Sequence, residues 1–589
     1  MATFLVTANI PELWAGVPEV VTIDGILPSG KHFIEDPAVR VVENITSADI
    51  LCHVTEEEFA EANRAHDELL EVLGRELNRI HGVDRPTRFW LILLGPWLRQ
   101  FTHVVFCRWY TLREVLRRYP DLEMRVVDAR WEELTPQTHD EASLLFFSEP
   151  WNSWIYAVLL RQLRSDDAVT AVAAPGAMAE FAAYRVDRNH GLPRPRPWPW
   201  WKRVAVRALA RVNRRAKGVV YATVFSTRDL LRFFWHLRLV PQVWDSPVGL
   251  RPWRIRRPDL IVAARSSDFA RALAPLVAPQ LPAIYLEGLP DLTQASESIG
   301  LPTAPRYAFS HNAFLRHDAF KLWAADRATS AATRLVGAQH GGGYGVYLHD
   351  NWTGCHEEAA LHRFLTWGWS HSSHQVAVGV QIDREVRPDR TGGLLFVLGP
   401  VVRMSNNLTL LQCSHVERQN ELIRELLAAL PREIVDVATL RPKTSGATKP
   451  ARAQTSDFDQ FRNQVRVSEG KCSLSEDLER NRLAVVLYNE TTLPINLSMD
   501  YPTIALWDHR LMRLNRLAHS AYGAGGGLSP IRSSAESCAA LIVKHWDAID
   551  EWWSSHDVRL VSRAIANTYA RRVDAAVRIT AVALKRVVA

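Results

Sequence analysis

Apolar positions recur along this chain in two rhythms. Phe4-Leu5-Val6-Thr7 is a short apolar run closing on a polar residue, as expected of a first strand in a layered domain. From Glu56 to Ile80 the spacing turns helical, with Phe59, Leu69, Leu70, Val72, Leu73, Leu77 and Ile80 forming a stripe among charges. Strand-like runs return at Leu144–Phe147 and Val169–Ala174, separated by helical intervals. Beyond residue 325 the alternation resumes, with strands expected at Thr333–Ala338, Gly393–Val397, Ile434–Thr439 and Leu483–Leu487 and a charged helix over His415–Leu430. Such alternation predicts an α/β fold of parallel sheets covered by helices. The expected organisation is an α/β domain over 1–325, a second over 326–555 and a basic helix over 556–589, with Pro442–Ser456 as a polar linker or loop.

Composition narrows this picture. With 589 residues, 47% hydrophobic and 23% charged, the chain is globular and has room for roughly two to four domains. The net charge of +6 is mild for this length, so its placement matters more than its size. Between Arg194 and Lys217 stand nine basic side chains and no acidic one, with Trp198, Trp200 and Trp201 ahead of a helical run carrying Val204, Val206, Leu209 and Val212. A basic amphipathic insertion of this kind suits an anionic inner-membrane surface; a solvated helix over a packed insertion is the alternative. No nucleic-acid recognition motif accompanies it, so nucleic acid is not an expected partner. Cys52, Cys107, Cys355, Cys413, Cys472 and Cys538 show no metal-ligand spacing, so neither a zinc site nor a disulfide framework is expected. Without a secretory signal pattern or an apolar run of spanning length, the expected location is cytoplasmic, with peripheral contact at the inner membrane face.

The densest chemical signal is Gln339-His340-Gly341-Gly342-Gly343-Tyr344-Gly345, directly after an expected strand. Consecutive glycines let a backbone approach a ligand closely, and the carboxyl end of a strand is where open α/β sheets bind ligands. His340 has the chemistry of an acid or base near neutral pH. The stretch is neither GxGxxG nor a Walker loop. A second strand-to-turn junction, Tyr488-Asn489-Glu490-Thr491-Thr492, places hydroxyls at a helix start and a carboxylate suited to sugar hydroxyls. Arg441 follows another expected strand and supplies a cation for phosphate. In the first half, Arg88, Trp90 and Arg99 belong to a polar and aromatic cluster, beside His81, His103 and Arg108, with the chemistry to hold an anionic or glycan acceptor. Two further polar concentrations, Arg306–Asn312 and Asp318–Lys321, precede the second domain.

Six strings together carry a family resemblance over nearly the full length: Arg88-Phe89-Trp90, Leu93–Leu98, Asp318-Ala319-Phe320-Lys321, Gln339–Gly345, Tyr488–Thr492 and Tyr501–Ile504. In them the chain resembles a transferase family of bacterial surface-polysaccharide and O-antigen loci, first described from spirochaetes. The resemblance implies a GT-B-like pair of Rossmann-like domains. It also implies transfer of a sugar from a nucleotide-activated donor, a CMP-ulosonic acid or an NDP-hexose, to a lipid-linked or growing glycan. It carries donor-site roles onto Gln339, His340, Gly341, Gly342, Gly343, Arg441, Thr491 and Thr492, while His340 and Glu490 are the expected catalytic residues on their own chemistry. Acceptor-side roles fall on Arg88 and Trp90, and Arg99 joins them on its charge. No permanently bound cofactor and no metal is implied, the nucleotide sugar being substrate. Asp500 and Glu490 depart from the pattern, which leads one to expect asparagine and a small residue there. Other readings of the sequence are a different group-transfer enzyme, or a noncatalytic scaffold in which the two glycine- and threonine-bearing turns do not share a cavity.

Overall fold

A computed structural model describes residues 3–588 apart from 165, 193–198, 245–246, 258–259, 383, 410, 412–413, 444–459, 469–471 and 524–528. Trp198 and nearly all of the expected polar loop 442–456 therefore lie outside the described residues.

The fold class is α/β, with parallel pairing in all the sheets described. The first sheet takes β1 (Phe4–Val6), β2 (Glu19–Ile23), β3 (Arg40–Ile45), β4 (Glu123–Val127) and β5 (Val169–Val172), in the order β3-β2-β1-β4-β5. A middle sheet takes β6 (Gly218–Val220), β7 (Tyr307–Ser310), β8 (Arg334–Ala338), β9 (Arg363–Thr366) and β10 (Gln375–Ala377), in simple sequential order. The last sheet is built from β11 (Gly393–Val397), β12 (Ala438–Arg441), β13 (Arg466–Val467), β14 (Asn481–Val486), β15 (Thr503–Leu506) and β16 (Ile531–Arg532), ordered β13-β12-β11-β14-β15-β16. The first and last sheets are thus doubly wound, Rossmann-like lobes whose strand order reverses beside β1 and β11. Residue 325 falls between β7 and β8, which pair Tyr307 with Arg334, so the middle sheet draws strands from both sides of it.

Most expected elements form where their patterns place them. The helix Glu56–His81 opens on a capping box between Thr55 and Glu58 and stops at Gly82, whose φ of 63° is the left-handed conformation of a C-cap. The run Leu144–Phe147 is not a strand: Thr138 caps a helix over His139–Leu145 by accepting from the Glu141 amide, and four apolar residues are too few to set a period against a cap. Likewise Pro431 opens a short helix, Arg432–Val435, and delays the next strand to Ala438. The expected C-terminal helix is two, His556–Tyr569 and Ala576–Val588. Between them the Arg571 amide donates to Trp367 and Arg572 bridges Val380, so that backbone serves the middle sheet instead of a helix.

One long helix, Thr87–Arg118, organises the interior. Every residue from Ile92 to Leu112 is buried, as for a helix apolar on all sides and packed all round. The last helix, Ala576–Val588, packs with the helix Thr227–Leu237 on one face of the middle sheet, where Phe309, Val336 and Leu365 meet Phe233, Ala581 and Leu584. No helix among the described residues is long and apolar enough to cross a membrane.

Candidate functional site

Two strands from different sheets end at one place. After β8 the chain runs through Gln339–Gly345; after β14 it runs through Leu487–Thr491 into the helix Thr492–Ser498. The two turns touch directly, the Gly342 amide donating to Thr491 Oγ1 at 2.8 Å. A Cβ at Gly342 would stand 2.3 Å from the Thr491 amide nitrogen, so only glycine allows this approach. Gly343, at φ +85°, lies beside the Glu490 carboxylate, with Glu490 Oε1 3.6 Å from where its Cβ would be. The Tyr347 hydroxyl donates to the Asn489 carbonyl, and Tyr522 donates to Asn489 Oδ1 at 2.8 Å, which fixes the second turn from behind. Asn515 Nδ2 fixes the first by donating to the Gly345 carbonyl at 2.8 Å. Because β14 adjoins β11 at the reversal of strand order, this crevice sits where doubly wound sheets bind ligands.

His340 projects from the first turn, half-buried, its ring edge-on to Tyr344 at 5.7 Å. Its Nδ1 has no hydrogen-bond partner. Burial, with the Arg316 charge adding to it, holds the imidazole below its usual range; the backbone of Ala338 and His311 acts the other way. His311, at the end of β7, is pushed down to about 3 by burial and by neighbouring His340. Burial pushes the Glu490 carboxyl up, against the pull of Lys443. Burial thus favours the neutral form of the His340 imidazole and disfavours the charged form of the Glu490 carboxyl. Among the described residues no group of three or more His, Cys, Asp or Glu side chains is arranged to hold a metal ion.

Apart from Arg441, the residues singled out from sequence separate into three sets. His340, Gly341, Gly342, Gly343, Glu490 and Thr491 come together. Gln339 and Thr492 lie behind them as supports: Gln339 donates to the Gly341 carbonyl at 2.8 Å and accepts from Trp367 and Trp369 at 2.9 Å, while Thr492 pairs with the Tyr488 hydroxyl at 2.9 Å. Arg441 stands at the end of β12, ion-paired with Asp477 and donating to the Cys472 carbonyl at 3.0 Å.

The third set, Arg88, Trp90 and Arg99, rides on the helix Thr87–Arg118. Trp90 is wholly buried, its indole N–H on Asn78 Oδ1 at 3.0 Å and its ring against Gly74, so it offers no face to an acceptor. Arg99 is buried on Asn63 and Asp67 at 2.9 and 3.1 Å, and Arg88 donates to the Ala360 carbonyl at 3.1 Å. Asp500 adopts φ 61°, a left-handed turn that aspartate and asparagine tolerate better than most residues, and accepts from Trp553 at 2.9 Å. Sequence reasoning missed Arg316. Its signal was position, two residues before the Asp318–Lys321 string.

A family model described as "LIC12162 family transferase" matches residues 3–584 of this chain. No curated protein matches. Among solved structures, the chain is similar over part of its length to the wall teichoic acid polymerase TagF, at 9% identity, covering 50% of this chain and 73% of that one with a TM-score of 0.29. It is similar to the glycotransferase of kitacinnamycin at 13% identity, covering 51% and 80%, TM-score 0.29. The spinosyn forosaminyltransferase SpnP gives 12% identity, 52% and 84% coverage and a TM-score of 0.29.

Proposed function

This chain belongs to the LIC12162 family of transferases, and from that premise we propose that it moves a sugar from a nucleotide-activated donor to a surface-glycan acceptor, as a GT-B-like glycosyltransferase. The observation carrying this reading is the direct contact of Gly342 with Thr491, which joins the turn that bears His340 to the turn that bears Glu490. A scaffold has no need of a glycine that only a tight approach requires.

In this mechanism the acceptor hydroxyl oxygen bonds to the anomeric carbon as the bond from that carbon to the donor phosphate oxygen breaks. His340, held neutral at pH 7, takes the hydroxyl proton. The departing nucleotide keeps the electron pair, and its charge is met by the Thr491 hydroxyl and backbone amides of the glycine turn. Because Thr491 Oγ1 accepts from Gly342, its own hydrogen is left to point at a phosphate. Glu490, its carboxyl pushed up by burial, hydrogen-bonds a hydroxyl of the sugar. The enzyme works at a cytoplasmic, anionic membrane face, with Trp200, Val204, Leu209 and Val212 of the helix Trp200–Asn213 exposed for contact.

Calorimetry with CMP-, UDP-, GDP- and dTDP-sugars and the free nucleotides tests this. One nucleotide class should bind saturably, and Thr491→Val should weaken it about tenfold, the loss of one hydrogen bond to a charged group. No binding by any nucleotide to folded protein would refute the reading.

A further inference from the structure

A cavity of about 570 Å³ opens at the carboxyl end of β6, outside the crevice just described. Two kinds of wall meet in it. Phe225, Leu230, Val243 and Leu250, all half-buried, make an apolar side. Asp140 and Asp318, from the starts of two helices, and Arg316, from the end of the short helix Ala313–Arg316, make a polar one. Between them half-buried Tyr221 stacks on Phe320, centroids 4.5 Å apart and planes 13° apart, a flat aromatic face.

The polar side is prepared for hydroxyl groups. Asp140 and Arg316 meet at 3.3 Å yet keep 44% and 36% of their side chains exposed, leaving acceptor and donor capacity. Asp318 is fixed by the buried Tyr285 hydroxyl at 2.6 Å and the buried Lys321 ammonium at 2.8 Å. A purely apolar ligand would strip water from these charges without repaying it. A bare sugar would leave the apolar wall unused. Carboxylate and guanidinium beside an aromatic face match the hydroxyls and C–H face of a pyranose, and the remaining wall matches an apolar body attached to it.

The cavity also adjoins the crevice. The Ala222 carbonyl accepts from the His311 amide at 3.4 Å, Phe225 stands edge-on to the His311 ring at 5.0 Å, and the Arg316 charge reaches His340. On its outer side the helix Thr227–Leu237 turns Leu230 and Phe234 to the cavity and leaves Leu231 and Trp235 exposed among Arg228, Arg232 and Arg238, with Trp235 81% exposed. Such a face suits the headgroup region of an anionic bilayer, from which an apolar-tailed molecule would arrive.

We propose that this cavity seats a glycolipid acceptor, with Asp140, Arg316 and Asp318 on the hydroxyls of its sugar head and the β6 side around the first part of its apolar tail. That it is an acceptor rests on the glycosyl-transfer reading; that an amphipathic sugar binds here does not. The probe is n-octyl β-D-glucoside below its micelle-forming concentration, titrated into the full chain by saturation-transfer NMR, with glucose and octanol as controls and nucleotide calorimetry on the same samples. Octyl glucoside should bind saturably and at least tenfold more tightly than either control. Thr223→Trp, which fills the cavity from its wall, and the isosteric Asp140→Asn should each weaken it at least tenfold with nucleotide binding unchanged; if the tryptophan variant melts early, Asp140→Asn decides. No saturable binding to wild type, or undiminished binding to these variants, overturns the proposal even where nucleotide binding stands. Octyl glucoside binding without nucleotide binding upholds the cavity and strikes the donor reading instead.

Discussion

The glycine turn Gln339–Gly345 and the helix Thr87–Arg118 are equally rich in unusual residues, and they finish in opposite surroundings. The turn meets a second turn across a crevice, with His340 half-buried and Glu490 beside it. The helix goes into the interior, where Trp90, Trp97 and Arg99 have almost no exposed surface. Aromatic and basic residues on a long helical period are explained by packing on several sides, with Trp90 held on Asn78 and Arg99 on Asn63 and Asp67. Three glycines after a strand supply no side chain to pack, and at Gly342 the missing Cβ is what lets the Thr491 backbone approach. The second pattern is therefore the better pointer to a site.

The sharpest way to break this contrast is to truncate one member of each region. Trp90→Ala should cost about 3–5 kcal/mol of stability, the range for removing a large core aromatic, measured by denaturant unfolding, while the folded protein keeps its nucleotide affinity. A loss of acceptor binding without loss of stability would return Trp90 to an acceptor role. His340→Ala should do the reverse, lowering kcat about 10²- to 10⁴-fold with unfolding midpoints unchanged. Gly342→Ala should fall between, because its methyl group meets the Thr491 backbone, 2.3 Å from the amide nitrogen. Displacing the two turns by about an ångström should cost on the order of 10² in turnover, read in the same assay.

The smallest expected effect concerns acid. Burial holds His66 down to about 4 and His311 to about 3. The unfolded chain therefore takes up protons from about pH 6.5 downward while the folded protein does not. Stability contributed by the two neutral rings is fully present above that pH and is lost as pH falls toward their folded values. Each histidine costs about 1.4 kcal/mol per pH unit across that window. Buried Glu357, whose carboxyl is pushed well up, works in the opposite sense and gains stability on acidification. Chemical denaturation at pH 7, 6 and 5 should show a net loss that His311→Phe reduces; a flat profile in wild type would contradict these pKa directions.

Much of the fold was legible because its signals are local. The strand Gly393–Val397, the helix Glu56–His81 and the turn after Ala338 each follow from spacing, caps and glycine within a few residues. What sequence could not supply is pairing across long separations. Residue 325 separates two strands of one sheet because β7 and β8 pair, and no local pattern encodes that neighbour. The same holds for Arg441: a cation after a strand is visible in sequence, but Asp477, which takes its charge, is 36 residues away. Arg316 escaped notice for the converse reason, since its ion pair with Asp140 and the effect of its charge on His340 exist only once three segments have met.

Hydrogen–deuterium exchange tests most directly whether the two turns form one donor site, as proposed. With the nucleotide sugar that binds, peptides covering residues 339–345 and 487–498 should slow together, while those within Thr87–Arg118 stay as they were. Protection of only one turn, or protection elsewhere with both turns unchanged, would contradict the account.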